Sequence, residues 1–418
     1  MTHTNLPDGF LWGVATAGHQ NEGDNTASDT WFLEHTSPSL FQEPSGPACR
    51  GYEQWESDLD LVAGLGLNAF RFSVEWARVE PEQGVISTEA LDHYERKVDG
   101  CLERGLAPLV TFNHFTGPHW FAASGSWTGA DAPARFAEQC DRVMARFGDR
   151  IAYAVTLNEP NLEQLLQTGG KLPAEAEQLK TLMLAAAART AGTGTYASAN
   201  VIPADRQGEF QEAFTRAHRA AREAIKARRG DLPVGVSIAI ADEVAAPGGE
   251  ERRDAKRAAV YDHWLREARD DDFIGVQNYE RIVHGPDGEV RGDGERNGMG
   301  TAIAPDSLAG AARYAHEVSG VPILVTEHGI QTPEDTQRAA FIPAAIDALA
   351  TEVQAGTPVL GYCHWTLMDN FEWIFGYGAQ LGLHEVDRDT FERRPKPSAK
   401  AYADVVRNHR GALADPRN

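Results

Sequence analysis

The sequence predicts a single (β/α)8 barrel, and three observations carry that prediction. Eight short runs of apolar, β-branched or aromatic residues recur along the chain, nearly continuous in their apolarity, as strands buried on both faces are. Segments with helical spacing lie between many of them, and strand then helix, repeated, means parallel strands joined by crossovers. No Pro-, Gly- or Ser-rich linker divides the runs into two sets, so residues 1–418 read as one domain. A doubly wound sheet would need a glycine-rich dinucleotide turn after its first strand, and "WGVATAG" matches that pattern poorly.

The elements follow in order. "FLWGVAT" (10–16) is the first strand, and "YEQWESDLDLVAGLG" (52–66) has helical spacing. "AFRFSV" (69–74) and "APLVTF" (107–112) are the second and third strands, with the helix "STEALDHYERKVDGCLERG" (87–105) between them. The helix "APARFAEQCDRVMARFG" (132–148) leads to "AYAVTL" (152–157), an apolar run that stops on Asn158, Glu159 and Pro160. The alternation then pauses from about residue 161 to 208, long for a simple connection; a loop or helical insertion of that kind usually shapes a site entrance. It resumes with the helix "EFQEAFTRAHRAAREAIKARRG" (209–230) and the strands "PVGVSIAI" (233–240), "FIGVQ" (273–277) and "PILVTE" (322–327). The helix "DTQRAAFIPAAIDALATEVQAG" (335–356) and the strand "VLGYCHW" (359–365) complete the set.

Composition excludes several classes. A net charge of −22, from 39 Lys+Arg against 61 Asp+Glu, leaves no basic face of any size for a nucleic-acid backbone. No apolar run approaches a membrane-spanning length, and "MTHTNLPDGFLWGVATAG" lacks a basic region followed by an apolar one, so neither a membrane partner nor secretion is expected. Cys49, Cys101, Cys140 and Cys363 are scattered without C-x-x-C spacing, which argues for reduced, buried thiols and a cytoplasmic location. The macromolecular partner that the sequence allows is a further copy of the chain, in a homo-oligomer.

In such a barrel the chemistry comes from the C-terminal ends of the strands. There the sequence places Arg71, Asn113 and His114, Asn158 and Glu159, Gln277 and Tyr279, Glu327, and Trp365. Arg71 alone could simply neutralise a carboxylate, and His114 alone could be a hydrogen-bonded core histidine. "HFTGPH" is neither H-x-H nor H-E-x-x-H, so no metal and no cofactor is expected. Glu159 and Glu327 are different: each ends an apolar strand, where a solvated surface charge does not belong. Two carboxyl groups facing one pocket divide labour when their surroundings separate their pKa values, which is the chemistry of breaking a glycosidic bond.

At this point the chain resembles the family 1 glycoside hydrolases nearly end to end. "LPDGFLWGVATAGHQNEG" is similar to that family's opening strand, "FRFSVEWARVEPEQG" to its second-strand segment, "TLNEP" to its acid/base motif and "VTEHG" to its nucleophile motif. "HWTLMDNFEWIFGYGAQLGLHEVD" resembles its last sugar-binding stretch and "RRPKPSAKAY" its closing helix. The resemblance implies an exo-acting retaining β-glycosidase on a (β/α)8 barrel, with Glu159 as general acid/base and Glu327 as nucleophile. It implies that Arg71 and Tyr279 support the nucleophile and that Asn158 meets the sugar 2-hydroxyl. Gln20, His114, Glu372 and Trp373 would bind the other hydroxyls, with Trp365 beneath the ring. The substrate would be a small-molecule glycoside or oligosaccharide ending in a glucose-, galactose- or fucose-like sugar, unphosphorylated because an ionised Glu372 repels phosphate. A transglycosylase would use the same intermediate; a carbohydrate-binding pseudoenzyme would have lost one carboxylate, and both are present.

The chain also departs from that family. His114 is followed by Phe115 where the family usually has Trp, Gln277-Asn278-Tyr279 stands for Asn-Tyr-Tyr, and His328 stands where Asn is commoner. Residues 161–208 do not look like the family's usual sequence, so the leaving group cannot be inferred from the resemblance.

Overall fold

The computed structural model describes residues 6–170 and 174–413. The first five residues of the N-terminal stretch read above, residues 171–173 of the 161–208 segment and residues 414–418 lie outside them. Eight parallel strands close into a barrel: β1 (Leu11–Ala15), β2 (Ala69–Ser73), β3 (Ala107–Asn113), β4 (Tyr153–Asn158), β5 (Val234–Ala239), β6 (Phe273–Asn278), β7 (Ile323–His328) and β8 (Val359–Trp365). Each pairs with its sequence neighbours, and β8 closes on β1 with Leu11 opposite Gly361 and Ala15 opposite Trp365. All eight predicted runs are these strands.

Side chains alternate along a strand with period two, so one set fills the barrel and the other packs against helices. Leu11, Ala69, Leu109, Val155, Phe273, Leu324 and Cys363 belong to one buried cluster. Val14, Phe70, Val110, Ala154, Ile274 and Val325, which alternate with them along the strands, belong to the larger cluster under the helices. The helix Ala132–Phe147 shows how the second layer is made, since Phe136, Cys140, Val143 and Phe147 form one buried stripe at spacings of three and four. Crossovers that the sequence reading did not single out are supplied by Glu250–Val260 and Asp262–Glu267 after β5 and by Ser307–Ser319 after β6.

Two irregularities at the C-terminal ends of strands set the site. Between β4 and β5, Val155 faces Gly235 but Asn158 faces Ser237, so one extra residue lies on β4. Between β6 and β7, Val276 faces Val325 but Gln277 faces Glu327, so one extra residue lies on β7. An extra residue shifts the alternation by one, which turns Asn158 and Glu327 to the face that Val155 and Leu324 already occupy.

The 161–208 segment is largely helical. Helices Leu162–Thr168 and Ala174–Ala191 precede a short turn at Ala204–Arg206 and the crossover helix Gln207–Arg228. Met183, Leu184 and Ala187 are buried with Tyr196 and Val201 against Leu33, Phe41 and Phe371. No helix among the described residues is long and apolar enough to cross a membrane.

Candidate active site

The chain turns abruptly at the end of β4. Glu159 adopts φ 46°, in the left-handed region that a non-glycine residue occupies only at a cost of about 1–3 kcal/mol. Its N–H donates to the Ser237 carbonyl at 2.8 Å, which ties the turn to β5, and Pro160 ends the strand. Phe115 (φ 66°) and Trp373 (φ 50°) share this unusual conformation. All three line one cavity of about 310 Å3 at the C-terminal mouth of the barrel.

The structure brings the sequence-predicted site residues to the wall of this cavity, except Arg71. Gln20, His114, Asn158, Glu159, Tyr279, Glu327, Trp365, Glu372 and Trp373 line it, and Arg71 is buried behind two of them, Glu327 and Asn158, to which it is hydrogen-bonded. Arg71, fully buried, donates from Nη1 to Glu327 Oε1 at 2.6 Å, from Nη2 to Asn158 Oδ1 at 2.5 Å and from Nε to Thr111 Oγ1 at 3.1 Å. Tyr279 donates its hydroxyl to Glu327 Oε2 at 2.7 Å. Both Glu327 oxygens are therefore held by donors, while no hydrogen bond to the Glu159 carboxyl is found among the described residues.

That difference separates the two carboxyl groups. Burial pushes Glu159 well above the ordinary carboxylate range, the charges of Glu327 and Glu372 push it further, and Arg71 opposes them only in part. Burial also raises Glu327, but Arg71 and the Tyr279 hydrogen bond pull it back. The proton shared by the pair belongs on Glu159.

Asn158 is oriented by its neighbours. Its Oδ1 accepts from Arg71 and from Gln277 Nε2 at 2.8 Å, so Nδ2 is the atom that donates to His114 Nε2 at 3.2 Å. Burial and the Arg71 charge hold His114 far below its usual pKa, so the ring is neutral and its proton sits on Nδ1. That nitrogen has no partner among the described residues, and neither do Gln20 Oε1 and Gln277 Oε1. Three orphaned buried polar atoms on the wall of one cavity are what a polyhydroxylated ligand would satisfy. The His114 ring lies nearly parallel to both Trp365 (5.7 Å) and Trp373 (6.1 Å).

Glu372 behaves differently from the sequence expectation. Burial and the Glu327 charge raise it to about 8, despite a 3.1 Å hydrogen bond from Gln20 Nε2. A carboxyl raised in this way repels a phosphate less than an ordinary ionised carboxylate would.

Glu75 shows how strand-end position alone misleads. It follows β2 as Glu159 follows β4 and is equally buried, yet it does not line the cavity. Ser73, Asn25 and Thr116 donate to its oxygens at 2.9, 2.9 and 2.5 Å, which makes it a strut between loops. Cavity residues that the sequence reading missed include Leu40, Asn200, Ile202, Met299, Gln331 and Phe375. They come from loops and from the 161–208 segment, where neither periodicity nor strand-end position gives a signal. Among the described residues no group of three or more His, Cys, Asp or Glu is placed to hold a metal ion.

A closed eight-stranded barrel with two buried, differently supported carboxyl groups at its mouth defines a glycosidase-like site. Comparison assigns the chain: it belongs to glycosyl hydrolase family 1, whose model matches residues 2–284 and 278–411, and it is an O-glycoside hydrolase. It is similar to the crystal structure of the β-glycosidase BGL167, with 47% identity over 96% of this chain and 97% of that one and a TM-score of 0.90. Thermostable β-glucosidase B of Thermobispora bispora is 31% identical over 97% of this chain and 91% of its own length. The β-glucosidase of Thermotoga maritima in complex with deoxynojirimycin is 25% identical, with a TM-score of 0.82 over 97% and 99% of the two chains.

Proposed function

We propose that this chain is a retaining exo-β-glycosidase that removes one terminal, glucose-like sugar through a covalent glycosyl-enzyme. Glu327 attacks the anomeric carbon as the bond to the leaving oxygen breaks, and Glu159 gives that oxygen its proton. In the second step Glu159, now ionised, takes a proton from water, whose oxygen displaces Glu327. Asn158, fixed through Oδ1, has a free Nδ2 hydrogen for the sugar 2-hydroxyl. Gln20, His114, Glu372 and Trp373 bind the remaining hydroxyls over the face of Trp365.

The observation that carries this reading is the asymmetry of the pair. Glu327 accepts from Arg71 and Tyr279, and Glu159 has neither donor. A nucleophile must be ionised and an acid protonated, and this arrangement separates them in that sense. The names of the relatives and the deoxynojirimycin complex of one of them support a glucose-like glycone. Four buried cysteines without disulfides suit action in a reducing cytoplasm.

Initial rates on nitrophenyl β-glucoside, β-galactoside, β-fucoside, β-xyloside and α-arabinoside test the proposal, with Glu327→Gln as the blank. The expected result is turnover strongest on the glucoside and lost in the variant. Undiminished turnover by Glu327→Gln would contradict the assignment of the nucleophile.

A further inference from the structure

The outer part of the same cavity differs from its floor. Its walls carry Leu162, Leu165, Leu166 and Ile202 from the 161–208 segment, together with Met299 and Phe375. Met299 and Phe375 are 53% and 40% exposed, unusual for large apolar side chains, and they stand beside this opening.

The polar groups among these walls are mostly committed elsewhere. Lys180 Nζ donates to Glu163 at 2.6 Å, to Glu177 at 2.9 Å and to the Ile202 carbonyl at 3.3 Å, which uses all three of its hydrogens. Asn297 Oδ1 accepts from the Met299 and Thr301 amides and its Nδ2 donates to Thr301 Oγ1, so its side chain holds its own loop. Asn200 Nδ2 and Gln331 Oε1 are the exceptions, polar atoms of this lining with no partner among the described residues. A second sugar ring would bury several hydroxyls and find few answering groups, and each one left unpaired in the wall disfavours binding. An alkyl or aryl group would lose no hydrogen bonds there and would cover the exposed apolar rim.

We infer that the leaving group for which this cavity is shaped is an apolar alkyl or aryl aglycone, rather than a second sugar, and that Leu166 and Met299 select it. The inference rests on the glycosidase reading above, because it places the scissile bond between the carboxyl pair and these walls.

The test is kcat/KM on methyl, butyl, hexyl and octyl β-glucosides, whose leaving groups have nearly the same reactivity, against cellobiose. Nitrophenyl β-glucoside serves as the control for the glycosidase reading. Each methylene that enters the apolar region should raise kcat/KM about fourfold until the walls are covered. The octyl glucoside should exceed the methyl by at least about tenfold, and should exceed cellobiose. Leu166→Asn and, on the exposed rim where folding is not at stake, Met299→Ser should each lower the octyl-to-methyl ratio about threefold or more. A flat series, a preference for cellobiose, or an unchanged ratio in both variants would overturn the inference while nitrophenyl glucoside is still hydrolysed. Failure on nitrophenyl glucoside as well would overturn the glucoside reading on which it stands.

Discussion

Arg71 and Glu327 lie on β2 and β7, strands that do not neighbour one another, and their side chains meet across the barrel at 2.6 Å. The other terminal nitrogen of the same guanidinium holds Asn158 at 2.5 Å. One buried cation thus fixes both the group proposed to attack the sugar and the amide proposed to hold its 2-hydroxyl. Its charge also keeps Glu327 from the full rise that burial alone would impose.

Tyr279 contributes to the same balance through one hydrogen bond. That bond lowers the Glu327 pKa, so Tyr279→Phe raises it, and the nucleophile then stays protonated to a higher pH. The acidic limb of the kcat/KM profile should move upward, with kcat reduced on the order of tenfold to a hundredfold. The limb measured on an activated aryl glycoside reads this directly; a limb that stays in place or moves down would contradict the role given to Tyr279.

Glu159→Ala should act according to the leaving group. A poor leaving group such as an alkoxide needs a proton as the bond breaks, and a dinitrophenolate does not. The expected loss in the first step is about 10² to 10⁴ for alkyl glycosides and far smaller for dinitrophenyl glycosides. Pre-steady-state measurement of glycosylation on both substrates makes the comparison, and equal losses would refute the assignment.

Glu372 gives a prediction about stability. Its folded pKa, about 8, lies above its ordinary value of 4.5. At low pH both the folded and unfolded chains hold the proton; as pH rises past 4.5 the unfolded chain releases it and the folded chain does not, so stability is lost up to about 8. Glu372→Gln escapes that loss. Relative to the wild type it should be no more stable near pH 4.5 and more stable by on the order of 1–3 kcal/mol near pH 8. Thermal melts across pH test this, and a difference independent of pH would show that Glu372 is not held neutral by burial.

Much of this molecule is legible in the sequence because its signals are local. Each barrel strand announces itself by an uninterrupted apolar run, and Glu159 and Glu327 stand out because such runs rarely end in a carboxylate. Glu75 carries the same local signal and is a strut, because what distinguishes it is Asn25 and Thr116, partners brought from other loops. The extra residues in β4 and β7 are invisible in composition, yet they turn Asn158 and Glu327 inward. Leu166, Met299 and Phe375 reach one opening from three distant parts of the chain, and only the closed barrel gives them a common address. Glu372 stands in a stretch that a motif marks, but the upward shift of its pKa depends on burial that no motif reports.

The most direct test of the central claim is the product that Glu327→Gly forms from an activated β-glycoside in the presence of azide. With the nucleophile removed, azide enters the space beneath the anomeric carbon and displaces the leaving group in one step. Negligible turnover without azide, rescue with it, and a glycosyl azide of inverted, α configuration are expected. A β-configured azide would place the lost carboxyl group on the acid/base side and contradict the assignment of Glu327.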